Sequence, residues 1–245
     1  MSLRWARTAA AGLAWLTGLA AASYAGYAAV AWMRYGHPPR AAPDDADALL
    51  DRFMPEYDVV ERHHINVAAP AEVTFAALMD MDLEDSRVIR AIFRGRELLL
   101  GADADRTPHA RGLVALTQEL GWGVLATEPG HEIVMGAVTQ PWKANVVFRS
   151  MPPAGFTAFS EQNYVKIVWT LRADPVSDAA SIARTETRVV ATDAKARRQF
   201  RWYWARFSPG IVLIREISLR LVRNKAEQTG GFERVPLRQG NFPHS

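Results

Sequence analysis

The sequence predicts an α+β fold, with an antiparallel sheet packed on one long C-terminal helix and a transmembrane helix in front of it. Three observations support this. The chain begins with an uncharged run of 26 residues, its middle holds short β-rich runs separated by turn residues, and a long helical segment follows. A chain of 245 residues is long enough for one large globular domain with an appendage.

The N-terminal run, residues 8–33, has no charged side chain. A helix of this length extends for roughly 39 Å, more than the ~30 Å hydrocarbon core of a bilayer. Arg4 and Arg7 precede the run, Arg34 follows it, and aromatic residues lie near both ends, as in membrane spans. We therefore predict that residues 1–35 are a single-pass membrane anchor. Because basic residues flank both ends, the side of the membrane that holds the following domain stays open.

Two alternatives to the anchor remain open. The first is a cleaved signal peptide, since Arg4 and Arg7 suit its basic N-terminal region. Against it, the apolar part of a signal peptide usually runs for ~7–15 residues, which is shorter than this run. The second is a buried helix of a soluble protein.

The segment after the anchor begins with a linker and a short helix, residues 36–54, in which the helix covers 44–54. Residues 57–67 alternate between apolar and polar and predict a half-buried strand. Pro70 then opens a helix, because its missing N–H is tolerated in a first turn. A second helix is predicted over 83–93.

The middle of the chain predicts an antiparallel sheet. Short β-rich runs alternate with turn signals such as Asp174-Pro175 and the Pro-containing residues 151–155. The predicted runs are 113–120, 123–127, 132–139, 145–149, 164–172 and 183–191. A long helix follows from Asp193 to Gln228, with a kink expected at Pro209. Residues 229–245 are a predicted tail.

Three segments resemble the SRPBCC superfamily, which includes START domains, plant pollen allergens and polyketide cyclases. Residues 67–75, Val-Ala-Ala-Pro-Ala-Glu-Val-Thr-Phe, resemble its strand-to-helix entry. Residues 130–136 resemble a middle strand of bacterial members, and residues 185–189 resemble the last strand before the C-terminal helix. The resemblance covers residues 55–228. It implies a helix-grip fold, in which a curved sheet wraps the long helix, and it assigns no catalytic residue because the functions of the superfamily are diverse.

Composition and charge exclude several classes of function. The chain has no cysteine, which excludes disulfides, thiolate metal sites and a cysteine nucleophile. The sequence pI is 9.4, but residues 36–193 carry a net charge of −8. The positive charge is concentrated in residues 194–228, which hold nine basic and two acidic residues. A general nucleic-acid binder is not expected from this distribution.

Motifs for bound metals and cofactors are weak. The glycines of residues 121–126 have the spacing of a dinucleotide fingerprint, but a turn follows them instead of a helix. The acidic residues Asp80, Asp82, Glu84 and Asp85 lack the central glycine of a calcium loop. We therefore predict no cofactor and no metal.

The first predicted strand carries Glu61 and His63 on one face, where they are weak candidates for an acid–base pair or for ligand contacts. The alternative is an ordinary interior histidine with its partner. His64 points to the opposite face, so the two histidines cannot bind one metal together. On the last strand, Glu186 and Arg188 are expected to form an ion pair on the outer face.

The expected function is to bind or carry a hydrophobic small molecule or lipid in an internal cavity at a membrane. A sheet that grips one helix leaves an apolar interior, and such interiors are common ligand sites. An enzyme that acts on a lipophilic substrate, as cyclases and hydrolases do, and a ligand-free membrane interaction domain are the alternatives. The predicted cavity residues are His63, Ile65, Met135, Trp142, Phe148, Trp169 and Trp204.

A membrane-facing surface is also predicted on the basic C-terminal helix. Its apolar stripe is expected to pack on the sheet, whereas Trp202 falls on the polar face among Arg198, Arg201 and Arg206. One interpretation is that these four residues contact anionic lipid headgroups. The other is that Trp202 is covered by a loop or stacked on an arginine.

Overall fold

The computed structural model describes residues 2–82, 86–101 and 112–233. In chain order the helices are α1 (Ser2–Arg34), α2 (Ala48–Asp51), α3 (Ala71–Met79), α4 (Arg87–Leu100), α5 (Leu113–Glu119), α6 (Pro153–Ala158) and α7 (Ala194–Glu233). The strands are β1 (Val59–Val67), β2 (Gly123–Glu128), β3 (Glu132–Thr139), β4 (Val165–Ser177) and β5 (Ala180–Ala191). A 3₁₀ turn covers Pro43–Asp45.

The strands form one antiparallel sheet in the order β1-β5-β4-β3-β2. The first strand therefore pairs with the last, and β1 and β2 are the edges. Helices α3 and α7 pack on one face of this sheet, called the inner face below. A five-stranded antiparallel sheet with one long C-terminal helix is the helix-grip arrangement, which confirms the α+β prediction.

The inner face is apolar along β3 and β4, because the alternate residues of these strands that point to it are apolar. Met135 pairs with Trp169 across β3 and β4, and both are buried. Leu219 and Val222 of α7 complete this core together with Phe75 of α3. Burial of these side chains holds α7 on the sheet.

Helices α2 and α6 pack on the outer face of the sheet. Leu50 of α2 and Phe156 of α6 are fully buried against Val134 and Val168. The Asp47 side chain accepts a hydrogen bond from the amide of Leu50 at 2.7 Å and so caps α2. Sheet residues therefore have packing partners on both faces.

The C-terminal part of helix α1 packs on α7. The Tyr24 hydroxyl donates to the carbonyl of Arg206, and Arg201 donates to the carbonyl of Trp32 at 2.8 Å. Tyr35, directly after α1, is 6% exposed. Residues 18–26 are exposed.

The predicted N-terminal helix is present as α1, but its predicted role as a transmembrane helix is not supported. In the part of the chain that the structure describes, no helix combines the length and apolar character needed to cross a membrane.

Two predicted strands are wrong. The predicted strand 113–120 is instead helix α5, Leu113–Glu119, because a short apolar run fits either kind of element. In this helix the Thr117 hydroxyl donates to the carbonyl of Leu113 at 2.9 Å. Residues 145–149 contribute only an isolated bridge between Val138 and Arg149.

Four further boundaries differ from the prediction. Pro175 lies inside β4 beside a register shift, where a strand tolerates proline. Pro153 begins helix α6 within the predicted turn. Helix α4 begins at Arg87, and residues 83–85, which include Glu84 and Asp85, lie outside the described residues. Helix α7 continues through Pro209 and beyond Gln228 to Glu233, and the rest of the predicted tail lies outside the described residues.

Candidate functional site

A groove of about 380 Å³ lies where the end of α1 and the linker meet the edge strand β1. Its apolar wall comes from Tyr27, Tyr35, Val59 and Trp204. Trp204 belongs to α7, and its ring packs against that of Phe200, with the ring centroids 5.8 Å apart. The groove is therefore formed by segments that are distant in sequence.

Charged side chains surround this wall, and two of them, Arg62 and Asp58, have partners outside the groove lining. Arg62 donates to Glu186 at 2.9 Å on the outer face. Asp58 accepts from Arg197 at 3.1 Å. Glu61 reaches the groove from β1, so one carboxylate of the inner face is accessible from it.

Tyr35 is a buried aromatic residue of the groove wall. Its hydroxyl has no hydrogen-bond partner among the described residues. Burial, and then the negative charge of Asp58, raise the pKa of this hydroxyl. The group therefore stays neutral and retains a proton to donate.

A polar cluster of Glu61, His63, Thr185, Thr187 and Arg215 lies between β1, β5 and α7. His63 is opposite Thr185 in the sheet, and Glu61 is opposite Thr187. Arg215 donates to Thr185 Oγ1 at 2.6 Å and also to the Thr187 hydroxyl. The Glu61 and His63 side chains approach to 3.5 Å, from Oε2 to Nε2.

Arg215 is the charged centre of this polar cluster. Burial lowers its pKa to about 10, and the negative charge of Glu61 opposes that shift. Arg215 therefore remains charged at neutral pH. Sequence reasoning missed it, although a signal was present: Arg215 lies four residues from both Ile211 and Leu219 and interrupts the apolar stripe of α7.

The predicted cavity residues do not lie together at one site. Met135 and Trp169 are in the inner core, and the Trp169 ring meets Trp122, which in turn contacts Phe148. Ile65 packs against that core, and Trp142 packs against the cluster that contains Tyr35. His63 belongs to the polar cluster, and Trp204 lines the groove. A ligand-binding role for these residues stays a prediction.

The predicted membrane-facing residues divide into two groups. Arg201 faces α1, with its guanidinium 4.1 Å from the centroid of the Trp32 ring. Trp202 also contacts the Trp32 ring, at 4.6 Å between centroids, yet it remains 58% exposed. Arg198 and Arg206 are exposed, and Arg206 lies 5.9 Å from the centroid of the Trp202 ring.

Among the described residues, Glu128, His131 and Glu132 place their ligand atoms within 4.8 Å of one another, a spacing that a metal ion could use. Other contacts account for this arrangement. His131 lies 3.0 Å from Glu128 and 3.3 Å from Asp174. Burial, followed by the neighbouring Asp47, raises the pKa of Glu132 to about 8. Glu132 is therefore protonated at neutral pH, and a neutral carboxyl is a poor metal ligand.

No protein-family model matches the sequence, and no curated protein matches it. Among solved structures, norcoclaurine synthase from Thalictrum flavum is similar at 11% identity over 80% of this chain and 98% of that chain, with a TM-score of 0.33. CalC, a self-sacrificing resistance protein from Micromonospora echinospora, is similar at 15% identity over 71% of this chain and 98% of that chain, with a TM-score of 0.33. An aromatase/cyclase from a Streptomyces species is similar at 14% identity over 69% of this chain and 94% of that chain, with a TM-score of 0.24. The helix-grip assignment rests on the strand order and the packing of α7.

Proposed function

We propose that this protein binds a hydrophobic small molecule in the groove between α1, the linker and β1. The observation that carries the proposal is the volume of about 380 Å³ with an aromatic wall. Ligand pockets usually occupy about 300–1,000 Å³ and are lined mainly by apolar and aromatic side chains with a few polar groups. Tyr27, Tyr35 and Trp204 supply the rings, and Glu61 supplies a polar group.

The groove replaces the internal cavity as the proposed binding site. Met135 is fully buried and Trp169 nearly so, because α3 and α7 pack directly on them. A ligand at that position would have to displace core side chains. The groove needs no such rearrangement, since it is open at the sheet edge.

Binding can be tested with phenylnaphthylamine, a neutral dye that fluoresces in apolar surroundings. The full-length chain should bind the dye, and Ala42→Trp should weaken binding by about tenfold or more, because the added indole fills the groove. Ala154→Trp is the matched control, as Ala154 is exposed on α6 outside the groove lining. Equal affinities of both variants and the wild type, or no binding at all, would contradict the proposal.

Natural ligands can be sought in parallel. Mass spectrometry of small molecules extracted from the purified full-length chain should detect a hydrophobic compound. The same compound should be depleted from Ala42→Trp and retained by Ala154→Trp. Equal amounts in both preparations would argue against the groove as its site.

We also propose that the protein associates with a membrane through α1 and the adjacent face of α7. Residues 18–26 of α1 are exposed and uncharged, and the exposed side chains of Trp15 and Leu19 are large and apolar. Trp202 is exposed nearby, where α7 contacts the end of α1. Indoles favour the interface between lipid and water, and a basic residue near an anionic surface contributes about 1 kcal/mol.

Vesicles of phosphatidylserine and phosphatidylcholine test this second proposal. The full-length chain should sediment with them, and a double variant with Arg198→Gln and Arg206→Gln should bind less. Arg201 is left unchanged because it holds the end of α1. A double variant with Arg52→Gln and Arg149→Gln, two exposed arginines elsewhere, is the control. Equal sedimentation of the two double variants would contradict the proposed surface.

A second candidate function is catalysis on a lipophilic substrate, favoured by one contact. Glu61 lines the groove, and its carboxylate lies 3.5 Å from the His63 imidazole. A small movement of either side chain would bring the two groups within hydrogen-bond distance, as an acid–base pair requires. Hydrolysis of aliphatic p-nitrophenyl esters should then fall in Glu61→Gln. Rates equal to the uncatalysed background in both proteins would remove this candidate.

A further inference from the structure

The charges that line the groove are unequally compensated. Its acids Asp45 and Asp58 bind Arg184 at 2.6 Å and Arg197 at 3.1 Å, and neither arginine lines the groove. Its third acid, Glu61, approaches His63 and faces the charge of Arg215.

Two of the arginines that line the groove, unlike these acids, have no oppositely charged partner among the described residues. Arg62 is held by Glu186 and by the Tyr57 hydroxyl. Arg34 and Arg40 also line the groove, but among the described residues neither forms an ion pair with a carboxylate. One is at the end of α1 and the other is in the linker, so the two exposed guanidiniums stand on neighbouring segments of the same wall.

A second observation also indicates a polar ligand group. The Tyr35 hydroxyl is buried in the same wall without a partner among the described residues. Buried hydroxyls are nearly always hydrogen-bonded in folded proteins. A ligand oxygen that accepts from Tyr35 would satisfy it.

We propose that the ligand of the groove is an amphipathic anion. This inference rests on the proposed small-molecule function and defines the class of ligand. The apolar body contacts Tyr27, Val59 and Trp204, and the anionic group lies by Arg34 and Arg40. Guanidinium groups bind carboxylates, sulfonates and phosphates through charge-assisted hydrogen bonds, often in pairs.

Two dyes that differ by one group test the charge preference. Anilinonaphthalene sulfonate has the rings of phenylnaphthylamine and adds a sulfonate. The wild-type chain should bind the sulfonate dye about tenfold more tightly than the neutral dye. In a double variant with Arg34→Gln and Arg40→Gln this preference should disappear, while affinity for the neutral dye stays within about twofold.

Arg220→Gln is the control, since Arg220 is an exposed arginine of α7 outside the groove lining. It should retain the preference for the sulfonate dye. If both dyes bind equally, or if the double variant keeps the preference, the proposal of an anionic ligand is wrong. Binding of a hydrophobic small molecule in the groove would still be supported. If neither dye binds, both proposals fail.

Competition then distinguishes the source of the negative charge. Decanoate displaces the sulfonate dye if the natural ligand is a carboxylate, and decyl phosphate does so more strongly if it is a phosphate. Decanol, which is neutral, should be the weakest competitor. Displacement by decanol at the same concentrations would contradict the role of Arg34 and Arg40.

Discussion

Glu132 of β3 and Asp47 are neighbouring carboxyl groups where α2 covers the outer face of the sheet, and Asp47 contributes to the raised pKa of Glu132. Both side chains are buried, and the Thr170 hydroxyl donates to Glu132 Oε1 at 2.7 Å. Arg172 lies 3.5 Å from Asp47 Oδ2. A neutral Glu132 therefore lies beside the segment that precedes α2.

The first prediction concerns the pH dependence of stability. Because the pKa of Glu132 is raised to about 8, the folded state holds a proton that the unfolded state releases near pH 4.3. The stabilising effect is complete below the unfolded pKa and is lost as the pH rises towards 8. The free energy of unfolding should fall across this range by up to about 1.4 kcal/mol per pH unit, as measured by urea denaturation at several pH values.

The matched variant for this prediction is Glu132→Gln. Its amide is neutral at every pH, donates to Asp47 and accepts from Thr170. The decline in stability between pH 5 and 8 should therefore be much smaller in the variant, which should be the more stable protein at pH 8. A decline as steep as that of the wild type would show that Glu132 is not its source.

The second prediction concerns Arg188, whose side chain is 2% exposed on the outer face. Arg188 donates to Glu186 at 2.7 Å and to the carbonyl of Met54 at 2.8 Å, which confirms the ion pair expected from the sequence. Arg188→Met should destabilise the protein by about 3 kcal/mol, because buried acceptors lose their donor. Arg149→Met, which breaks an exposed pair with Glu161, should cost less than about 1 kcal/mol. Equal midpoints in urea for the two variants would contradict this difference.

The third prediction tests the inner core. Trp169→Ala should lower the free energy of unfolding by about 3–5 kcal/mol, because the indole is 6% exposed and packs against Met135 and Trp122. Trp15→Ala removes the same side chain from a position that is 81% exposed, so stability should be nearly unchanged. A small loss for Trp169→Ala would mean that the space beneath the sheet is a cavity.

The fourth prediction concerns two tyrosines near α7. Tyr35→Phe should stabilise the ligand-free chain by about 1 kcal/mol, since it removes a buried hydroxyl that has no partner among the described residues. Tyr24→Phe should have the opposite sign, because it removes a hydrogen bond to the carbonyl of Arg206. Thermal unfolding of the two variants in parallel measures both effects. Destabilisation by Tyr35→Phe would indicate an additional partner for that hydroxyl.

The sequence predicts most of the sheet because strand periodicity is a local signal. Alternation in residues 57–67 places Glu61 and His63 on the inner face, where the structure has them, and a similar alternation places Trp169 beside Met135. The long helix after Asp193 is likewise predicted, since Asp193 accepts hydrogen bonds from the first amides of α7.

The groove is not predictable from local patterns. It forms only because α1 turns back onto α7 and brings Tyr27 and Tyr35 beside Val59 and Trp204. A run without charges predicts a membrane span from composition alone. Contacts such as that of Trp32 with Arg201 produce no periodic pattern in the sequence, so the packing of α1 on α7 is not predicted. The sequence of helix α5 also fits a strand, because seven residues are too few to distinguish the helical period from the strand period.

Ligand binding in the groove is tested by locating phenylnaphthylamine on the full-length chain with intermolecular nuclear Overhauser effects. We expect contacts from the dye to Tyr27, Tyr35, Val59 and Trp204, and these should be absent in Ala42→Trp. Contacts to Met135 and Trp169 instead would place the ligand beneath the sheet and contradict the groove as the binding site.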